Sequence, residues 1–224
     1  MIQVIPTVIP ESFEELTERI ERVASLVSLV QIDVVDGVHA PSVTWPFTND
    51  GEGSFEKLVS GELRLPHHDS IKFELDFMVR APEVVLDAWM AVGFDQFIIH
   101  LESTQDMSGI ISRLRSSGLG VGIALKPSTS NDELEPFIDS IDFVQCMGND
   151  RIGYHGVALD PVVLEKIKDL HARFPHMPLG IDIGVNVETA PALIEAGATR
   201  LATGSAILNS EDPAHVIRQL AGES

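Results

Sequence analysis

One cysteine, Cys146, stands in 224 residues, so no disulfide can form within the chain, and a reducing compartment is implied. Basic residues are also scarce. Fifteen Lys and Arg face 34 Asp and Glu, for a net charge of −19. That balance excludes nucleic acid and anionic membrane surfaces as partners, because both need a basic face. No apolar run approaches the roughly 18 residues of a membrane span. The opening "MIQVIPTVIPESFEEL" has no basic segment ahead of its apolar stretch and no small-residue cleavage site. It reads as a strand entering a helix, not as a signal peptide, and the expected location is cytoplasmic.

What the chain does contain is one alternation, repeated. Strand-like runs are 2–6, 29–35, 71–79, 96–101, 120–125, 142–147, 178–183 and 200–204. Helical patterns fall between them. "SFEELTERIERVASLV" starts on Ser12 as an N-cap, with Glu15 three residues on to complete a capping box. "APEVVLDAWMAVG" places Pro82 in a first turn and Gly93 just past a helix end. "DPVVLEKIKDLHARF", "VETAPALIEAG" and "DPAHVIRQLAG" carry apolar residues at three- and four-residue spacing. Strands alternating with helices pair in parallel, and eight such units close into a (β/α)8 barrel. A single domain over 1–224 is expected, since no composition shift marks a linker. An open doubly wound sheet would follow if the weak strands at 142–147 and 200–204 were absent.

"VQIDVVDG" (30–37) is β-branched enough for a core strand, yet it carries an amide and two carboxylates. Buried carboxylates are costly unless something compensates them. In a barrel the chemistry sits at the carboxyl ends of the strands, and polar residues collect there. They are Thr7 after strand 1, Gln31, Asp33 and Asp36 on strand 2, and Asp76 with Met78 on strand 3. His100 and Glu102 follow on strand 4, Lys126 on strand 5 and Asp182 on strand 7. Two-residue alternation puts Gln31 and Asp33 on one face, the barrel interior. Glycine turns gather at the same rim: Gly153 and Gly156 after strand 6, Gly184 after strand 7, Gly204 with Ser205 after strand 8. Backbone amides in such turns make a phosphate site.

The residues carry a resemblance. "IPTVIPESFEEL", "QIDVVDG", "FELDFMVRAPEVVLDAWMAVGFDQFIIHLE", "GIALKPST", "VLEKI" and "IDIGVNVETAPALIEAGATRLATGSAIL" together make the chain resemble the ribulose-phosphate 3-epimerase family from end to end. The resemblance implies a TIM barrel of the ribulose-phosphate-binding type and a phosphorylated sugar as substrate. It also implies Asp33 and Asp182 as acid and base, with a divalent metal held by those two and two histidines. By position Gln31 and Asp76 stand where the family has the histidines. Val35 stands where it has one methionine, while Met78 and Met147 match the other two. Thr7 matches a substrate-contacting serine, and Ile183 replaces the first glycine of an Asp-Gly-Gly turn. The loop after strand 6 is one residue longer than usual. A homo-oligomer is expected.

The chemistry can be argued beside the resemblance. Inverting a carbon next to a ketone needs one group to take a proton from one face and another to supply one to the opposite face. Two carboxylates across a barrel mouth suit this if their pKa values are raised. The plainer reading is that Asp33 and Asp182 only cap strand ends. Gln31, Asp33, Asp76 and Asp182 form an all-oxygen set, which favours Mg, Mn or Ca over Zn or Fe. With no cation, Lys126 or a protonated carboxyl would offset the repulsion. His39, His67, His68, His100 and His155 read one by one as loop histidines, not as replacement ligands. His100 contacts substrate or is a hydrogen-bonded rim residue. Cys146 reads as core, and Trp45 as a loop anchor or part of a lid.

Three functions fit these residues. The first is an epimerase inverting C3 of a phosphorylated ketopentose through an enediolate. The second is another sugar-phosphate isomerase or lyase on the same barrel, and the third a non-catalytic protein that binds a phosphometabolite.

Overall fold

The structure is a computed structural model, and it describes residues 2–48, 51–154 and 156–223. Eight parallel strands close into a ring in sequence order. They are β1 (Gln3–Val8), β2 (Leu29–Val35), β3 (Lys72–Met78), β4 (Gln96–His100), β5 (Gly120–Leu125), β6 (Phe143–Met147), β7 (Leu179–Asp182) and β8 (Arg200–Thr203). The ring is sealed where Gln3, Val4, Ile5 and Pro6 register with Arg200, Leu201, Ala202 and Thr203. Both weak strands are present, so the open-sheet alternative is excluded.

The helices are α1 (Phe13–Glu21), α2 (Glu52–Ser60), α3 (Leu86–Ala91), α4 (Met107–Ser116), α5 (Val162–Arg173), α6 (Ala190–Ala196), α7 (Ser205–Leu208) and α8 (Pro213–Leu220). Ser12 caps α1, its hydroxyl accepting from Glu15 N at 3.1 Å. The Glu15 carboxylate accepts from Glu11 N at 2.7 Å. The helix expected over 81–93 is split: Pro82–Val84 form a 3-10 turn and only Leu86–Ala91 are α-helical. Ala81, left-handed at φ 49°, sets that entry angle. Between β5 and β6 there is no α-helix, only 3-10 turns at Asn131–Leu134 and Ile138–Ser140.

Period-2 alternation gives each strand two buried faces of different chemistry. Val30, Ile32 and Val34 of β2, with Phe73, Leu75 and Phe77 of β3, belong to the large core packed between barrel and helices. The residues between them point inward, and many are polar: Gln31, Asp33, Glu74, Asp76, Gln145 and Arg200 are all buried. Low in the barrel, Glu74 accepts from Gln96 Nε2 and the Arg200 guanidinium, both at 2.5 Å. Arg200 lies over the Phe143 ring at 3.9 Å. Trp45 is an anchor. It is fully buried against Phe13, Phe55 and Trp89, and its Nε1 donates to Ser54 Oγ at 2.8 Å. Cys146 is core, its thiol pushed up to about 12 by burial. No helix among the described residues is long and apolar enough to cross a membrane.

Candidate active site

Register brings the carboxylates together. Asp33 pairs directly with Asp76 across β2 and β3, and Met147 pairs with Asp182 across β6 and β7. Oxygens of Asp33, Asp76 and Asp182 lie within 4.8 Å of one another, and all three residues are buried. Each has a fixed partner. Gln31 Nε2 donates to Asp33 Oδ1 at 2.7 Å. Asp76 accepts at Oδ1 from His100 Nε2 at 2.7 Å and at Oδ2 from Gln145 Nε2 at 3.1 Å. Asp182 Oδ1 accepts from the N–H of Ile183 at 2.8 Å.

Three carboxylates out of water cannot all remain ionised without a counter-charge. Burial, then Asp182 and Asp76, hold the Asp33 carboxyl well above its usual range. Burial and then Asp76 push Asp182 up to about 7, against the pull of the Ile183 N–H and His100. The groups beside the carboxylates are therefore His100, Gln31 and Gln145, while the charge of Lys126 is felt at His39.

Above the carboxylates opens a cavity of about 550 Å³. Thr7, Asp33, Met78 and Asp182 are among the residues that line it, together with Gly153, Gly156, Gly184, Gly204 and Ser205. Residues from the ends of β1, β2, β3, β6, β7 and β8 thus meet at one space. Gln31 and Asp76 stand behind the two lining carboxylates. Met147 does not reach the cavity. It is fully buried in a cluster with Val35, Met78, Ile98, Phe143 and Ile152 of the loop that follows β6. Asp36 holds the rim: its Oδ1 accepts from the N–H groups of Val38 and His39, and its Oδ2 from Arg80 N, all at 2.8 Å.

The turn after β7 is strained. Ile183 has φ 77° and Gly184 φ 73°, and a left-handed β-branched residue is rare. A Cβ on Gly184 would come within 2.5 Å of Leu159 N, so the loop after β6 packs onto this turn only because residue 184 has none.

Sequence reasoning missed Gln145 as a partner of Asp76, although it lies two residues before Met147 and so on the same face of β6. It also missed Asn186 and Thr189, which line the cavity. His67 and His68 lie in the turn ahead of β3 beside Glu21 and Asp69, away from the site. His155 falls outside the described residues. His100 is fully buried and hydrogen-bonded, the second of its two expected roles.

The sequence model of the ribulose-phosphate 3 epimerase family matches residues 3–208. The chain belongs to the ribulose-phosphate 3-epimerase family. Ribulose-phosphate 3-epimerase of Schizosaccharomyces pombe is 32% identical over 148 residues, 66% of this chain and 64% of the yeast protein. The enzyme of that name from Candida glabrata is 29% identical over 196 residues, 83% and 77% of the two chains. The one from Bacillus subtilis is 28% identical over 228 residues and 99% of each. Among solved structures, a 3-hexulose-6-phosphate synthase superposes with a TM-score of 0.69 at 19% identity, covering 100% of both chains. A 3-keto-L-gulonate-6-phosphate decarboxylase from Vibrio cholerae gives 0.69 at 14% identity, over 99% of this chain and 95% of that one. At such identities these two structures speak for the shared barrel fold alone. Membership places the chain among carbohydrate epimerases.

Proposed function

We propose that this epimerase-family protein inverts C3 of a phosphorylated ketopentose, with Asp33 and Asp182 as the two proton-transfer groups. The observation that carries this is the placement of two buried carboxylates, from strands that do not pair with each other, on one cavity that is also lined by the glycine turns after β6, β7 and β8. One carboxylate removes the C3 proton, leaving an enediolate, and the other returns a proton to the opposite face. Their raised proton affinities suit this, since a base near the working pH both takes and yields a proton readily. The phosphate is assigned to the amides near Gly184, Gly204 and Ser205, joined by Gly153 and Gly156.

The acidic set also fits a divalent cation. Asp33, Asp76, Asp182 and Gln31 would hold it, the Gln31 Oε1 being buried without a partner. All-oxygen donors favour Mg, Mn or Ca over Zn or Fe. Such an ion, when bound, supplies positive charge to the oxygens of the enediolate. The chain's own residues orient the carboxylates: Gln31 fixes Asp33, the Ile183 N–H fixes Asp182, and His100 with Gln145 fixes Asp76.

The test is exchange of the C3 hydrogen of ribulose 5-phosphate in heavy water, followed by NMR beside a coupled turnover assay. Exchange with epimer formation supports the reading. Binding of the sugar phosphate with neither exchange nor turnover, with or without magnesium or manganese, would favour a non-catalytic binding protein. Turnover of a different sugar phosphate without C3 exchange would favour another isomerase or a lyase.

A further inference from the structure

Beside the acidic set lies a second group of donors that the proposed reaction does not use. His39 in the loop after β2, His100 at the end of β4 and Glu102 just beyond it each offer one donor atom within 4.8 Å of the other two. None of the three lines the 550 Å³ cavity. The imidazole rings of His39 and His100 meet edge to face, their centroids 5.2 Å apart.

The partners of these groups show which atoms remain. Nε2 of His100 is engaged by Asp76, leaving Nδ1 without a hydrogen bond. Oε1 of Glu102 accepts from Lys126 N at 2.9 Å and from the Thr129 hydroxyl, leaving Oε2 without one. Nε2 of His39 is likewise buried and unpartnered. Buried polar atoms are almost always paired, yet three unpaired ones occur together on this trio. His100 is fully buried, so its free nitrogen cannot turn to solvent.

We infer that His39 Nε2, His100 Nδ1 and Glu102 Oε2 form a binding site for a borderline divalent metal ion of the zinc and cobalt class, separate from the acidic set. Two imidazoles and one carboxylate are a common donor set for such ions and leave a coordination position open. The supporting contacts are those such a site requires. A histidine ligand is usually oriented by a carboxylate on its other nitrogen, and Asp76 does this for His100. Glu102 is held by the start of the loop after β5. An unpaired set of lone pairs with oriented side chains calls for an electrophile, whereas a purely structural cluster would have turned a donor towards them. The site is joined to the acidic set through the His100–Asp76 hydrogen bond.

The test is titration of chelator-stripped full-length protein with cobalt(II), read by visible absorption and equilibrium dialysis, followed by displacement with zinc(II). The expected result is cobalt uptake with a d–d spectrum of nitrogen ligation, displaced by zinc. His39→Leu and Glu102→Gln should weaken uptake at least about 10–100-fold, the loss expected even for a residue that only orients a ligand. Asp182→Asn should keep the d–d spectrum of nitrogen ligation, whatever it changes in uptake by the acidic set. Circular dichroism checks the fold, and the near-isosteric Glu102→Gln decides if His39→Leu fails to fold. No cobalt uptake by the wild type would overturn the assignment. So would uptake unaffected by Glu102→Gln but lost in Asp182→Asn, which would place the ion on the acidic set.

Discussion

Asp182 holds its proton more tightly in the folded protein than in the unfolded chain, because burial and Asp76 oppose its charge. Between the ordinary carboxylate value near 3.8 and about 7, folding therefore takes up a proton. Its contribution is complete below that window and is lost as pH rises through about 7. In metal-free protein, urea titrations should show stability falling across this window, with a shallower fall for Asp182→Asn. An equal slope in the variant would assign the titration elsewhere. For activity, Asp33→Asn and Asp182→Asn should each lower epimerisation by roughly 10²–10⁴ while both proteins stay folded, as steady-state assays and circular dichroism would show. The neighbouring Ile183 gives a different test, since a left-handed conformation costs a non-glycine residue about 1–2 kcal/mol. Ile183→Gly should be more stable than Ile183→Ala by about 1 kcal/mol, the reverse of the usual order, as judged from denaturation midpoints. That Asp33 and Asp182 would meet at the mouth of the barrel was legible in the sequence, because each is a carboxylate at the carboxyl end of an otherwise apolar strand. The links from Asp76 to His100 and Gln145 were not, since they join β3 to β4 and, across the interior, to β6. Side-chain reach inside a barrel is set by stagger, which no single strand reveals.

At the level of elements, the strands were the most readable part of the chain. Each is a short apolar run bounded by turn residues, and all eight occur where expected to within two residues. Helices were less so: the stretch over 81–93 has helical spacing, yet the left-handed Ala81 and Pro82 consume its first turn in a 3-10 segment. The connection after β8 is also short, with α7 only four residues long and Gly204 ahead of it. Gly204 sits against Thr7, where a Cβ would come within 2.6 Å of the Thr7 carbonyl oxygen. Substituting the glycine would thus disturb β1 as well as any phosphate. Ser205 is exposed and gives the cleaner probe of this connection. With a phosphate seated there, Ser205→Asp adds like-charge repulsion of at least about 1 kcal/mol, expected to raise KM at least about fivefold with a smaller change in kcat. An unchanged KM in initial-rate measurements would move the phosphate elsewhere on the rim.

Across the whole molecule, the barrel separates its polar interior by depth, with the acidic set near the mouth and the Glu74–Arg200 pair lower down. Burial raises the proton affinity of Glu74, and Arg200 and Gln96 oppose that. Removing either partner alone leaves an uncompensated buried charge, at a cost of about 3–5 kcal/mol. Glu74→Leu and Arg200→Met should each unfold at markedly lower denaturant, while the double variant should recover at least about 2 kcal/mol relative to the sum. Additive losses would mean that the two residues are not coupled. A lineage of such proteins would meet the same constraint as a kinetic barrier to change. The first substitution at either position passes through a poorly folded ancestor, so positions 74 and 200 are expected to have turned over together or not at all, a memory of ancestry written at the closed end of the barrel and not at the end where substrates are exchanged.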